Sequence, residues 1–132
     1  MPRGEWPLMH GRPAIEVVLT AVSGVQLVNR SLLADTGAGT AQSGFELLLN
    51  EQDCLLCDGI PLHSVVLGGA FSGVFPVYLI QVQIPILGID HAVPVVGVTN
   101  VPSGFDGIAC FRFLNRFEYG NFGDSRHFGL EI

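Results

Sequence analysis

The sequence predicts an all-β domain. Short apolar runs alternate with polar residues at a period of two, and glycines and prolines separate these runs. Only one segment has helical spacing, because Ile108, Phe111, Leu114 and Phe117 recur every three residues. A chain of 132 residues corresponds to a single domain. We therefore expect strands throughout and one short helix near the C-terminus.

The first element is an extended arm over residues 1–13, which contain three prolines. The folded domain is predicted to span residues 14–132. Its first strand is indicated by the alternation of Ile15, Val17 and Leu19.

A turn at Ser23-Gly24 then leads into a second strand over residues 25–28, which gives a hairpin. This hairpin precedes a separate apolar strand, residues 32–34, which ends at Asp35. Residues 41–59 fit neither the helix nor the strand pattern. We expect a short strand and an irregular loop there.

A second hairpin is predicted with arms at residues 62–67 and 74–84. Pro76 cannot donate a backbone hydrogen bond, which predicts a sheet edge or a bulge at that position. The tip of this hairpin consists of Gly68, Gly69, Ala70, Phe71, Ser72 and Gly73. Further strands are predicted at 92–99, 117–122 and 127–132.

The composition argues against two kinds of partner. The net charge is -6, and the basic residues are six scattered arginines, so clustered cations for a nucleic-acid backbone are missing. The longest apolar stretch, residues 73–89, is interrupted by prolines and glutamines and is predicted to be a strand rather than a membrane span. Charged residues make up only 14%, which indicates surface hidden in an oligomer.

The three cysteines bear on location and metal binding. An odd number of cysteines, and an N-terminus without the apolar core of a signal peptide, predict reduced thiols in the cytoplasm. Cys54, Cys57 and His63 have the spacing of half a zinc site, but a second half-site is missing. Buried or surface thiols are the preferred interpretation, and a small thiol- or metal-binding β-domain is a third option.

Asp35-Thr36-Gly37-Ala38 is the motif that carries chemistry, because a strand delivers one carboxylate into a glycine-containing turn. Asp also favours turns for purely conformational reasons, so a structural role is the alternative. With the glycine-tipped hairpin and the late helix, this motif resembles the retropepsin-like aspartic proteases over residues 14–132. The resemblance implies a small closed β-barrel with a flap hairpin and one short C-terminal helix.

The resemblance also assigns roles. Asp35 would be the catalytic carboxylate, and its symmetry mate in a second chain would complete a pair that shares one proton. Such a homodimer hydrolyses peptide bonds through an activated water and needs no cofactor. Thr36 would hydrogen-bond across the dimer, Gly37 would let a backbone N–H approach the carboxylate, and Ala38 completes the motif.

In the same comparison, residues 68–73 would be a mobile flap over an extended polypeptide substrate, with Phe71 as its apolar tip. A plain hairpin loop is the alternative. The final strands would pair with their counterparts in the dimer. Trp6 in the arm would anchor a partner subunit, and Arg112 and Arg116 would form a solvated helix face or an ion pair.

Two positions depart from the family pattern. Gly39 stands where the family usually has Asp, Ser or Asn, so it offers no side chain to the substrate. The family's apolar-apolar-Gly element aligns with Ile108-Ala109-Cys110, which places a thiol where the glycine is expected; a register ending at Gly107 is the alternative. These departures favour a second hypothesis, a catalytically silent dimerising or peptide-binding module.

Overall fold

A computed structural model of the chain describes residues 2–21 and 25–132. The turn predicted at Ser23-Gly24 lies outside the described residues. The strands are Arg3–Pro7 (β1), Ala14–Thr20 (β2), Gln26–Ala34 (β3), Leu47–Asn50 (β4), Ile60–Leu67 (β5), Gly73–Ile84 (β6), Ile89–Val98 (β7), Gly107–Ala109 (β8), Glu118–Gly120 (β9) and His127–Glu131 (β10). The helices are Glu51–Leu56 (α1) and Phe111–Leu114 (α2), with 3₁₀ turns at Gly69–Phe71 and Pro85–Leu87.

Six strands close into a barrel. Their order is β2-β3-β8-β4-β7-β6, and pairing of β2 with β6 completes the ring. β5 lies outside the ring and pairs with β6 alone, so the two form the predicted hairpin. Pro76 lies just before Val77, where pairing of β6 with β7 begins. Pro76 therefore occupies an edge, as its missing N–H predicts.

The two ends of the chain form a second, three-stranded antiparallel sheet in the order β1-β10-β9. The predicted arm thus contains a strand, because Arg3–Pro7 pairs with His127–Glu131 of the same chain. Trp6, which was expected to anchor a partner subunit, packs against the barrel core of its own chain. Arg3 lies 4.1 Å above the ring centre of Phe122 and forms an ion pair with Glu131.

The barrel strands near Asp35 bury both faces. Leu32 and Ala34 of β3 point into the barrel core, whereas Leu33 between them belongs to a second apolar cluster outside the barrel. The same alternation separates Leu47 and Leu49 from Leu48 in β4. The all-β, closed-barrel fold class is confirmed, and the second cluster forms the floor beneath Asp35.

The predicted helix over residues 108–117 is wrong in its extent, since α2 covers only Phe111–Leu114. Ile108 and Ala109 belong to β8, which pairs in parallel with β3 and antiparallel with β4. Two long-range pairings therefore override the local spacing of apolar residues.

Two further corrections concern the first half of the chain. The second arm of the first hairpin and the strand that ends before Asp35 are one strand, β3. The region expected to be strand and loop contains α1, which directly follows β4. The Asn50 side chain accepts a hydrogen bond from the N–H of Gln52, so Asn50 caps the first turn of α1.

No helix among the described residues is long and apolar enough to cross a membrane.

Candidate active site

Asp35 lies immediately after β3, where the strand leaves the barrel and turns. Its carboxylate is half-buried, and Oδ1 accepts a hydrogen bond of 2.9 Å from the N–H of Gly37. The N–H of Ala38 closes the turn on the carbonyl oxygen of Asp35 at 3.2 Å. Thr36 is exposed at the tip. The motif is thus a tight turn that fixes one carboxylate oxygen and presents the other side of the group outward.

The turn is tied to the segment from β8 to α2. The N–H of Asp35 donates to the carbonyl of Ala109 at 3.0 Å, and the N–H of Phe111 donates to the carbonyl of Ala38 at 2.9 Å. These two bonds hold both ends of the turn against the same segment. Cys110, the last residue of the Ile108-Ala109-Cys110 segment, directly precedes α2.

A cleft of about 480 Å³ joins Asp35 to the glycine-tipped hairpin. The turn contributes Asp35, Gly37, Ala38 and Gly39; the hairpin contributes Val66, Leu67, Gly68, Ala70 and Phe71; the floor is formed by Phe45, Leu48 and Ile108. Asp35 is the only ionisable side chain among these lining residues. The cleft therefore presents one carboxylate on an otherwise apolar wall.

The structure brings together part of the predicted hairpin tip. Gly68, Ala70 and Phe71 line the cleft, whereas Gly69, Ser72 and Gly73 lie outside its lining. The tip is a 3₁₀ turn, and Phe71 is half-buried against the second apolar cluster. The cross-strand pair Val66 and Val74 near the tip is exposed at 80% and 68%. The sequence analysis did not single out Val66 or Leu67, although both lie at the end of the first predicted arm of this hairpin.

Gly39 has a backbone reason to be glycine. Its φ is +75°, in the left-handed region, and a Cβ there would lie 2.7 Å from the hydroxyl oxygen of Ser43. That hydroxyl accepts a hydrogen bond of 2.9 Å from the N–H of Thr40. The conformation of this loop therefore explains why glycine, and not Asp, Ser or Asn, stands at position 39.

Cys110 is fully buried next to Asp35. Its N–H donates to the carbonyl of Glu46, and its own carbonyl accepts from the first turn of α2. Burial, and next the negative charge of Asp35, raise the pKa of the Cys110 thiol to about 12. The group beside the carboxylate is accordingly a neutral thiol at physiological pH.

Glu46 is a supporting residue that sequence reasoning missed. Its carboxylate is 1% exposed and forms a two-point ion pair with Arg116, whose Nη2 lies 2.7 Å from Oε2. Its backbone links Pro94 and Cys110. An acid between Phe45 and the Leu47–Leu49 run is the signal that could have identified it, because a buried carboxylate requires a partner. Arg116 thus takes the ion-pair role expected, whereas Arg112 donates to the carbonyl of Ser43.

The Cys54, Cys57 and His63 group does not form a site. Both thiols are buried under α1, and His63 is exposed on β5. Burial is the first cause that raises the thiol pKa values, to about 12 for Cys54 and about 11 for Cys57. In the described part of the chain, no three metal-binding side chains come together.

The closed barrel, the glycine-tipped hairpin and the short helix after β8 define a retropepsin-like fold. A solved counterpart is the crystal structure of a retropepsin-like aspartic protease from Rickettsia conorii, with a TM-score of 0.58 and 14% sequence identity over 97% of this chain and 91% of that chain. Comparison with protein-family models gives no match. No curated protein matches either. At this identity the similarity is one of fold.

Proposed function

We propose that the protein is an aspartic-type endopeptidase that acts as a homodimer. The observation that carries the proposal is the position of Asp35, which is oriented by the Gly37 N–H at the edge of the apolar cleft under the hairpin. A carboxylate held in this way, in a fold shared with an aspartic protease, is suited to acid–base chemistry on a bound peptide.

The second carboxylate comes from Asp35 of a second chain, because the motif occurs once in the sequence. Two carboxylates in contact cannot both ionise without a large electrostatic cost, so the pair retains one proton. The ionised member takes a proton from a water molecule. The protonated member donates a hydrogen bond to the scissile carbonyl oxygen, on which negative charge develops as the water attacks.

The hairpin of β5 and β6 acts as the flap in this proposal. Its exposed glycines allow the tip to open, and closure over an extended polypeptide excludes water from the reacting groups. The apolar side chains that line the cleft favour apolar substrate side chains, since ionic contacts other than Asp35 are missing from the lining. Gly39 lines the cleft beside the catalytic turn and offers no side chain to the substrate.

A retropepsin-like module that dimerises or binds peptides without cleaving them is the second candidate. Cys110 favours it, because a buried thiol replaces the family's glycine directly behind Asp35. The three free cysteines of the chain fit a reducing compartment, so the cytoplasm is the proposed location.

The test uses the wild-type chain and Asp35→Asn with a diverse peptide mixture from mildly acidic to neutral pH. New peptide termini are detected by mass spectrometry. We expect the Asp35→Asn change to lower cleavage by about 10²–10⁴-fold, the usual contribution of an acid–base group.

Asp58→Asn is the matched control, because Asp58 is exposed, has a φ of 51° that asparagine tolerates, and lies outside the cleft. It should cleave like the wild type. Equal cleavage by Asp35→Asn and the wild type contradicts the assignment of Asp35. Peptide binding without cleavage by any of the three proteins favours the silent module.

A further inference from the structure

A groove follows β2 beside Trp6 of β1. It consists of two cavities, of about 260 Å³ and about 230 Å³, which share Trp6 and Glu16 in their linings. Residues 14–16 of β2 line the first cavity, and residues 16–18 line the second. Trp6 and Glu16 therefore lie at the centre of the groove. Neither of them lines the Asp35 cleft.

The groove combines one carboxylate and one indole ring with apolar walls. Among the described residues that line it, Glu16 is the only ionisable one, and Asn29 and Ser31 are the other polar ones. Glu16 is exposed, and no ion pair between described residues involves it. Trp6 is half-buried. This combination attracts a cationic side chain with an apolar stem, because a carboxylate and an indole ring both attract positive charge.

The groove has the length of a short extended peptide. Residues 14–18 of β2 span about 13 Å at about 3.3 Å per residue. Asn29 and Ser31 of β3 pair with β2 and line one cavity each, so a polar group stands beside the peptide on both sides of the centre. In an extended peptide every second side chain points to the same face. A basic residue beside Trp6 and Glu16 is therefore accompanied by side chains two positions before and after it, one in each apolar cavity.

The charges of the chain favour an occupant from a different polypeptide. The chain contains no lysine, and each of its six arginines already has a partner within the chain. The pairs are Arg3 with Glu131, Arg12 with the Phe105 ring, Arg30 with Asp53, Arg112 with the Ser43 carbonyl, Arg116 with Glu46, and Arg126 with Asp124. A second copy would have to break one of these contacts to supply a cation. A foreign basic segment has no such cost and is attracted by the net charge of -6.

We propose that the groove binds an extended segment of another polypeptide, with a lysine or arginine beside Trp6 and Glu16 and an apolar residue two positions to either side. Glu16 selects the charge, and the two cavities select the apolar residues that flank it. Binding at this groove uses none of the residues of the Asp35 cleft. The inference therefore goes beyond the proposed peptidase and does not depend on it.

The experiment compares two synthetic peptides. The probe has lysine at its centre, serine on either side of it and valine at both ends, and its termini are acetylated and amidated. In the second peptide, glutamine replaces the lysine. Calorimetric titration uses the full-length Asp35→Asn chain, so that the peptides stay intact. We expect the lysine peptide to bind about ten-fold more tightly, because it gains both the ion pair and the contact with the indole ring.

Glu16→Gln, made in the same Asp35→Asn chain, tests the assignment of the carboxylate. It should weaken binding of the lysine peptide about five-fold and leave binding of the glutamine peptide unchanged. Glu118→Gln is the matched control, because Glu118 is also exposed and lines neither cavity. It removes the same charge and should bind both peptides like the parent chain.

Nuclear magnetic resonance locates the peptide without a substitution in the groove. On addition of the lysine peptide, the backbone amide signals of residues 14–18 and 84–86 should shift more than those of residues 66–71, which border the Asp35 cleft.

Three results overturn the inference: equal affinity for the two peptides, equal binding of the lysine peptide by Glu16→Gln and Glu118→Gln, or shifts confined to residues 66–71. Acetyl-lysine amide that binds as tightly as the whole peptide would identify a small cation as the occupant. Sedimentation that shows a dimer dissociating as the peptide is added would identify a second copy. Either of these two outcomes also contradicts the inference.

The inference and the proposed function fail separately. A wild-type chain that binds the lysine peptide in the groove but cleaves no peptide contradicts the proposed function alone. A chain that cleaves peptides but does not distinguish the lysine peptide from the glutamine peptide contradicts the groove alone.

Discussion

Gly107 sets the distance between two strands behind the cleft. It begins β8, opposite Leu32 of β3 and Leu49 of β4, in the middle of the barrel wall. A Cβ at this position would overlap the carbonyl oxygen of Leu48. Since that oxygen belongs to the backbone of β4, the overlap is relieved only by moving a strand that carries the cleft floor.

We therefore predict that Gly107→Ala lowers the free energy of unfolding by about 3 kcal/mol, as overpacking against backbone does. Urea unfolding followed by circular dichroism measures it. Gly68→Ala is the matched control, because a Cβ there meets no atom within 4 Å and the backbone is extended. If Gly107→Ala proves as stable as Gly68→Ala, the prediction is wrong, and β4 and β8 can move apart at little cost in free energy.

Among the elements, α1 holds two buried thiols against the barrel. Cys54 and Cys57 have pKa values raised to about 12 and about 11 from 9.0, chiefly because burial disfavours the thiolate. In the unfolded chain the thiols ionise near 9.0, so above that pH the unfolded state loses protons that the folded state keeps. Their contribution to stability is complete below pH 9 and is lost as the pH rises toward 12.

The second prediction is that ionisation of these thiols does not change the free energy of unfolding at pH 7–8 and lowers it between pH 9 and 12. The measurement is urea unfolding at stepped pH, with Cys54→Ala and Cys57→Ala combined as the control, in which the fall is smaller. A reagent that detects thiols should also react slowly at pH 8 until urea is added. Rapid reaction of the folded protein would contradict the buried placement of the thiols.

The alternation of apolar residues and the residue types of the turns were sufficient to predict some elements from the sequence. The hairpin of β5 and β6 combines period-two alternation with a glycine-rich tip, and both signals are local. The Asp35 turn could likewise be predicted from the sequence, because Asp, Thr and Gly follow an apolar strand. Ile108 and Ala109 were assigned to a helix, since their pairing with β3 and β4 depends on residues about 60–75 positions away. Cleft residues such as Leu48 could not be assigned for the same reason.

For the whole molecule, the proposed site has half of its acids in each of two chains. Wild-type and Asp35→Asn chains should therefore pair with one another, and the mixed pairs have one ionisable carboxylate. By mass action at equal amounts, about half of the wild-type chains are drawn into mixed pairs.

The third prediction is that one equivalent of Asp35→Asn lowers the peptide cleavage rate per wild-type chain to about half, and that excess lowers it further. The cleavage rate is followed with wild type held constant, under conditions in which all chains are dimeric. Asp58→Asn added in the same amounts should cause no loss. Unchanged activity in excess Asp35→Asn would indicate that a single chain carries a complete site.

Trp6 provides a fluorescence signal from one known place in the fold. It is the single tryptophan of the chain, it lies on β1 in the terminal sheet, and it lines two cavities, of about 260 Å³ and 230 Å³. Excitation at a wavelength absorbed by tryptophan alone thus reports on one location. Its emission spectrum signals release of the chain's first strand from the barrel, independently of circular dichroism, which follows the strands as a whole.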